Sequence, residues 1–228
     1  MPLTKPVILA FLAAGALGAL TQAGAAPAPL TPGGSVNPIP TYSGTGTPTV
    51  EVLHDTGLQT TMSPNGMTVN FEEWAVNTNL NPSGVVFAFV ISTSSSPSSL
   101  DATLPGYSGF MTALESCFPF SSAGTCGTET GMAARSGGMG DTLTFSSLGT
   151  TPVAPPGGSP AYFSNLYGIF TNASGWTDPS VTVMVGDSSF TFEGIAPKTS
   201  SSVPEPATLG LLALGLLGTG LARRTRKH

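Results

Sequence analysis

Two pairs of neighbouring residues could take part in acid–base chemistry. His54 precedes Asp55, the combination of a general base and an orienting carboxylate, and Glu72 precedes Glu73, two carboxylates of the kind that glycosidases use. Consecutive residues of a strand point to opposite faces of a sheet, so neither pair is placed to work together. No serine stands in the Gly-x-Ser-x-Gly turn that presents a nucleophile. We therefore predict that the protein is not an enzyme, has no catalytic residues, and carries His54 on an edge strand.

Metal and cofactor chemistry has little more support. The aspartates are scattered and form no Asp-x-Asp-x-Asp calcium loop, and His54 is the only histidine before the last residue of the chain. We predict no metal site and no cofactor. The aspartates are instead expected at solvated turns: Asp55, Asp101, Asp141, Asp178 and Asp187.

The two cysteines, Cys117 and Cys126, are separated by eight residues. In an exported chain such a pair usually forms a disulfide, which would stabilise the fold by about 2–3 kcal/mol through restriction of the unfolded chain. Metal or redox chemistry is the alternative, but a metal would need further ligands that the sequence does not place nearby. We predict the disulfide.

Several aromatic residues could form either a sugar-stacking platform or part of a hydrophobic core. The core is the simpler interpretation, because apolar rings are the largest contributors to buried area. The residues concerned are Tyr107, Phe110, Tyr162, Phe163, Tyr167, Phe170 and Trp176.

The first 25 residues are typical of a secretory signal peptide. Lys5 is followed by the apolar and small residues of Val7–Leu20, a run too short for a comfortable membrane span. Small side chains at Ala23 and Ala25 then suit signal peptidase. We therefore expect export, with the Sec translocon and signal peptidase as partners.

A second apolar segment lies near the C-terminus. Residues 207–222 are sixteen positions without a charge. A helix of this length reaches about 24 Å, slightly less than a hydrocarbon core of about 30 Å. A buried helix of a soluble domain is disfavoured because no face is polar. A basic group, which favours the cytoplasmic side, follows at residues 223–228: Arg223, Arg224, Arg226 and Lys227. We predict a single transmembrane helix at 207–222.

Four residues directly before this segment are held extended by two prolines: Val203, Pro204, Glu205 and Pro206. This strip, the short Leu/Gly-rich span and the arginine cluster together resemble the PEP-CTERM sorting signal of Gram-negative bacteria over residues 203–228. The resemblance implies recognition by exosortase, a membrane-embedded cysteine transpeptidase-like enzyme. It also implies a transient inner-membrane anchor, release to the cell surface or extracellular space, and association with exopolysaccharide and biofilm.

The body, residues 26–202, has eleven acidic and two basic residues, a net charge of −9. This excess of negative charge excludes a nucleic-acid partner, since phosphates require Lys and Arg. Its many glycine, proline, serine and threonine residues predict short strands joined by turns rather than helices.

Alternating or continuous apolar patterns locate the strands. We predict strands near 49–54 and 142–145, a hairpin or strand corner at 58–76, and a hairpin at 181–193. A central strand at 85–91 is expected to be buried on both faces, and no helix is expected in 100–115. Residues 150–160 are predicted to be a surface loop. The expected organisation is all-β: a leader at 26–48, an antiparallel β-sandwich at 49–195 and a linker at 196–202.

Three functions remain open from the sequence. The favoured one is a surface or extracellular-matrix protein with a structural or adhesive role. A carbohydrate-binding module exported by the same route is the second, and a secreted hydrolase with carboxylates from distant segments is the third.

Overall fold

A computed structural model of the protein describes residues 26–42, 48–117, 130–154 and 159–198. Over these residues the chain forms seventeen β-strands and no helix, which confirms the predicted all-β class. The strands are β1 (Ala28–Pro29), β2 (Ser35–Val36), β3 (Val50–Asp55), β4 (Gln59–Met62), β5 (Thr68–Thr78), β6 (Val86–Thr93), β7 (Leu100–Leu104), β8 (Thr112–Ser116), β9 (Met132–Arg135), β10 (Leu143–Ser146), β11 (Thr150–Val153), β12 (Ala161–Ser164), β13 (Tyr167–Thr171), β14 (Gly175–Thr177), β15 (Ser180–Val185), β16 (Ser188–Glu193) and β17 (Ala196–Lys198).

The larger sheet has nine strands, and β6 lies at its centre. One edge of β6 pairs with β5 along most of its length, while the other edge pairs with β13 and then with β12. Strands β3 and β4 share the outer edge of β5, and β8 and β1 follow β13 on the opposite side. Because β6 has neighbours on both edges and is buried almost throughout, the predicted central strand is confirmed.

The second sheet has six strands in the order β16-β15-β7-β10-β9-β2, and a third, small sheet consists of β14 and β17. All pairs of named strands are antiparallel within the part of the chain that the structure describes. Turn residues occur at short intervals in the sequence and favour short connections between strands. Short connections join antiparallel strands, which explains this order.

The two large sheets share one hydrophobic core. Phe89 of β6 contacts Phe145 of β10 with ring centroids 5.0 Å apart, and Phe71 of β5 stacks with Phe192 of β16 at 5.5 Å. These ring pairs join one sheet to the other, so inward residues of both sheets fill the same space. The result is a sandwich-like arrangement, as the alternating patterns predicted.

Both predicted hairpins are present, and each turn depends on a glycine. Gly66, between β4 and β5, has φ +83° and donates its N–H to the carbonyl of Ser63 at 2.9 Å. Gly186, between β15 and β16, has φ +58°. Left-handed backbone of this kind is strained for residues with a Cβ, which explains glycine at both positions.

The loop prediction for residues 150–160 is wrong at its start. Thr150–Val153 forms β11, which pairs with β12 in a register that sets Pro152 opposite Tyr162. Pro152 suggested a loop because proline cannot donate to a ladder, but β11 is the last strand of its sheet, where that loss is tolerated. The two threonines and Val153 favour the extended backbone.

Two segments predicted to flank the sandwich also contribute strands. From the leader, β1 pairs with β8 and β2 pairs with β9, and from the linker, β17 pairs with β14. Leu30 and Ile39 of the leader are buried in the common core. The folded region therefore extends beyond the predicted range 49–195 at both ends.

The two remaining predicted elements, the signal peptide at 1–25 and the membrane span at 207–222, lie outside the described residues. Within the described ranges there is no helix long and apolar enough to cross a membrane.

Candidate functional sites

His54 and Asp55 do not act on each other. The Asp55 carboxylate accepts a hydrogen bond from the Gly57 N–H at 2.7 Å, within its own turn. The imidazole of His54 instead stacks on Trp176, with ring centroids 5.5 Å apart and planes 19° apart, and its Nε2 lies 3.5 Å from an Asp178 carboxylate oxygen. Both side chains of that pair are substantially exposed, so the interaction adds little to stability even when His54 is protonated.

The aromatic residues proposed for either core or sugar stacking serve mainly in packing. Tyr107, Tyr167 and Phe170 are buried. Trp176 is half-buried, packs against the core and stacks on His54. Its indole ring is therefore part of the packing of the fold. The remaining rings are half-buried: Phe110, Tyr162 and Phe163.

Glu72 and Glu73 point to opposite faces of β5, as strand geometry predicts, yet both are buried. Glu73 lies on the inner face with no exposed surface, and its Oε2 accepts a hydrogen bond from the Ile195 N–H at 2.8 Å. Burial raises the pKa of Glu73 to about 8, and the hydrogen bond from Ile195 offsets part of that effect. The residue is therefore a neutral carboxylic acid near pH 7.

A buried hydroxyl accompanies this acid. Tyr107 OH and Glu73 Oε1 are buried polar atoms with no hydrogen-bond partner in the structure. Burial and then the Glu73 charge raise the pKa of Tyr107 well above its ordinary value. The sequence showed a strand at Glu73 but not that a second sheet would cover this face.

Glu72 and Glu115 are the other buried acids of the larger sheet. Burial raises the pKa of each to about 7, with a smaller contribution from the Asp55 charge at Glu72. Glu72 on β5 lies opposite Val90 of β6, whereas Glu115 on β8 lies opposite Gly168 of β13, so two strands stand between the acids.

Arg135 is a buried cation that sequence reasoning did not single out. Its guanidinium donates to four backbone carbonyls: Gly140 at 2.9 Å, Leu30 at 3.1 Å, Tyr107 at 2.5 Å and Phe110 at 2.9 Å. Burial lowers its pKa. The side chain thus ties the leader to the β7–β8 connection. The signal available in the sequence was that Arg135 is the only arginine of the body.

The described residues contain no group of three or more His, Cys, Asp or Glu side chains that could hold a metal ion. Cys117 is buried at the end of β8 and has φ +59°. Cys126 lies outside the described residues, so the disulfide remains a prediction.

The residues of the predicted sorting signal and signal-peptidase site also lie outside the described part of the chain. They are Ala23, Ala25, Val203, Pro204, Glu205, Pro206, Arg223, Arg224, Arg226 and Lys227.

The fold defines an antiparallel all-β protein in which the buried Arg135 and Glu73 side chains form hydrogen bonds with backbone groups. In the tail, the family model for the PEP-CTERM protein-sorting motif matches residues 202–227. This match confirms the resemblance drawn from Val203–Pro206, the apolar span and the basic cluster. Comparison with the curated proteins and with the solved structures found no match. The motif identifies an exported protein sorted by exosortase.

Proposed function

We propose that this chain is a non-enzymatic surface protein that exosortase releases from the inner membrane to the cell surface or extracellular matrix. There the β-sandwich serves a structural or adhesive role in association with exopolysaccharide. The observation that carries the proposal is the sorting motif at residues 202–227.

The contacts of the body support a structural role. The Arg135 guanidinium and the Glu73 carboxyl both bind backbone groups inside the fold. Glu72 and Glu115 are separated by two strands, and His54 is stacked on Trp176. These side chains hold segments together rather than converging on one substrate.

The proposed route has three steps. The signal peptide directs the chain to the Sec translocon and is removed after Ala25. The apolar segment 207–222 then holds the chain transiently in the membrane, with its basic residues inside. Exosortase processes the extended strip Val203–Pro206, and the body is released.

Mass spectrometry of the released protein, produced in a host that has exosortase, tests this route. We expect an N-terminus near Ala26 and a C-terminus near Val203–Pro206. Glu205→Ala should leave the chain inserted but uncleaved, because insertion does not require the carboxylate. Glu51→Gln, which changes an exposed acid of β3, is the matched control and should mature normally. Release of a form that retains Arg223 would contradict the proposal.

Exopolysaccharide association is tested separately. The released body should sediment with exopolysaccharide from the producing host, and a glycan array distinguishes a matrix protein from a dedicated carbohydrate-binding module. Failure to associate with the polysaccharide would leave sorting intact but remove the matrix role.

A further inference from the structure

Methionine lies mainly at the surface of the described part of the chain. Of the six methionines there, Met67 is half-buried and packs against the core, and the other five are exposed. Val52 is the only other large apolar side chain exposed in these ranges. The exposed fractions of the five methionines decide the argument that follows: Met62 67%, Met111 69%, Met132 39%, Met139 74% and Met184 42%.

This distribution is the reverse of the usual one. Methionine is among the residues most often buried, because its unbranched, polarisable side chain fills irregular gaps in cores. The core that the two large sheets share in the described ranges is instead filled by Leu, Ile, Val, Ala, Phe and Tyr, with no buried methionine. Packing therefore does not explain why these methionines are present.

Two of the methionines occupy outward positions of the second sheet. Met184 lies between the buried Val183 and Val185 of β15, and Met132 precedes the buried Ala133 in β9. The other outward residues of β15 are a serine and a threonine, as is typical of a solvated face. A methionine at such a position leaves apolar surface in water where a hydroxyl group would be the ordinary choice.

The exposed methionines are distributed over both large sheets and two connections. Met62 ends β4, Met111 lies in the β7–β8 connection, and Met139 lies in the β9–β10 connection. A partner protein would bind a contiguous apolar patch. The strands between Met184 and Met132 carry polar outward residues instead: Asp101, Thr103, Thr144 and Ser146. What the exposed methionines share is therefore an accessible sulfur atom rather than a common docking surface.

A thioether sulfur reacts with peroxides. The sulfur attacks one oxygen of hydrogen peroxide, the O–O bond breaks as the S–O bond forms, and the proton of the attacked oxygen passes to the leaving hydroxide to give water. The sulfur is oxidised to a sulfoxide and the peroxide is reduced. A thiol would compete, but Cys117 is buried. Within the described ranges the accessible reduced sulfur is therefore that of methionine.

We propose that the exposed methionines form an oxidant-consuming surface, which reduces peroxides to water outside the cell and becomes oxidised without loss of the fold. Sulfoxide formation disrupts a core because it places a polar oxygen among packed apolar groups, whereas these side chains are already solvated. The reaction consumes five peroxide molecules per chain until a methionine sulfoxide reductase restores the thioethers. Only the extracellular setting of this chemistry rests on the proposed function.

Peroxide treatment of the released body, followed by peptide mass mapping over time, tests the inference. We expect one added oxygen atom at each of the five exposed methionines and slower oxidation of Met67. The urea midpoint of the oxidised body should equal that of the untreated body. Oxidation of Met67 ahead of the exposed set would overturn the inference, as would a lowered urea midpoint once the exposed set alone has reacted.

Replacing the five exposed methionines by leucine retains apolar side chains of similar volume and removes the sulfur. Measured as peroxide remaining in solution, the fast phase of consumption should fall from five equivalents per chain to none. Met67→Leu is the matched control and should leave this phase unchanged. A five-leucine variant that consumes peroxide like the wild type would overturn the inference, because other groups would then be the reductant.

The producing host tests whether the reaction operates outside the cell. Cells that carry the five-leucine chain should survive a peroxide challenge less well than cells with the wild type or Met67→Leu at equal surface amounts. Equal survival of the three strains would overturn the extracellular role. The mass of the mature chain, measured in the same samples, reports sorting separately. If release fails, the full-length chain in detergent still gives the peroxide measurements, so failure of the proposed function is distinguishable from failure of this inference.

Discussion

At the scale of single residues, the structure adds most to the sequence analysis by showing which ionisable side chains are buried. Alternation within β5 correctly predicted that Glu72 and Glu73 face opposite sides, but it did not predict that both are buried. Glu73 is buried on the face that packs against the second sheet, and Glu72 on the opposite face has only 6% of its surface exposed. Burial by a non-local layer leaves no local signal in the sequence, and the same holds for Arg135.

Burial of Glu73 predicts a stability that falls as pH rises. Its pKa is raised from 4.5 to about 8, so the folded chain retains a proton that the unfolded chain loses. The stabilising contribution is complete below about pH 4.5 and is lost as pH approaches about 8, with a slope of up to about 1.4 kcal/mol per pH unit. Urea unfolding of the released body at several pH values measures this dependence.

Glu73→Gln is the informative variant, because glutamine can accept the Ile195 N–H but cannot ionise. The free energy of unfolding of this variant, relative to that of the wild type, should increase from pH 5 to pH 8. Glu51→Gln, at an exposed position of β3, should leave the pH profile unchanged. Parallel profiles for Glu73→Gln and the wild type would show that the acid is already ionised in the fold.

Arg135→Met should lower the free energy of unfolding by about 3–5 kcal/mol, because four carbonyls lose their common donor. Arg135→Lys keeps the charge but not the planar fork, so it should recover only part of the loss. Lys198→Met, at the exposed basic residue of the body, is the control and should change stability little. Equal urea midpoints for Arg135→Met and Lys198→Met would contradict this role.

At the scale of elements, strands with their own apolar period were predictable, whereas three strands that contain a proline were not. The alternation at 181–193 and the continuous run at 85–91 reflect inward and double-sided burial, respectively. Strands β1, β11 and β17 each contain a proline, and β1 and β17 are only two and three residues long. Their pairing is decided by partners far along the chain, which a local pattern does not contain.

Substitution of Gly66 in its turn should lower stability through backbone conformation alone. No heavy atom lies within 4 Å of a Cβ built there, but φ is +83°. Gly66→Ala should therefore cost about 1–2 kcal/mol of stability, measured by urea unfolding. Gly137 has equally open space without a positive φ, so Gly137→Ala should be neutral or slightly stabilising. Equal effects of the two substitutions would rule out backbone strain as the cause.

At the scale of the whole molecule, the tail was the most predictable part. The two prolines, the apolar segment and the clustered basic residues follow one another in the sequence, and the match of the family model at 202–227 confirms the motif. The function predicted for the body was less specific, because amino-acid composition indicates the fold class but does not identify a ligand.

The orientation of the tail should depend on its four basic residues. Each resists transfer across the membrane by about 2.5–3.5 kcal/mol at the bilayer centre. Replacing Arg223, Arg224, Arg226 and Lys227 by Gln should let the tail pass through, giving a secreted form with Pro204-Glu205-Pro206 intact. Replacing the arginines by Lys retains the charge and should preserve processing. Fractionation followed by mass measurement distinguishes the products, and normal maturation of the Gln variant would disprove the basic stop.

The scarcity of basic residues in the body has a consequence for survival outside the cell. Trypsin-like proteases cut only after Lys or Arg, and between residues 26 and 202 these are Arg135 and Lys198 alone. Arg135 is buried and bound to four carbonyls, whereas Lys198 is exposed at the end of the last strand. Such a protease can therefore trim a few residues from the folded chain but cannot cut its interior until the sandwich opens.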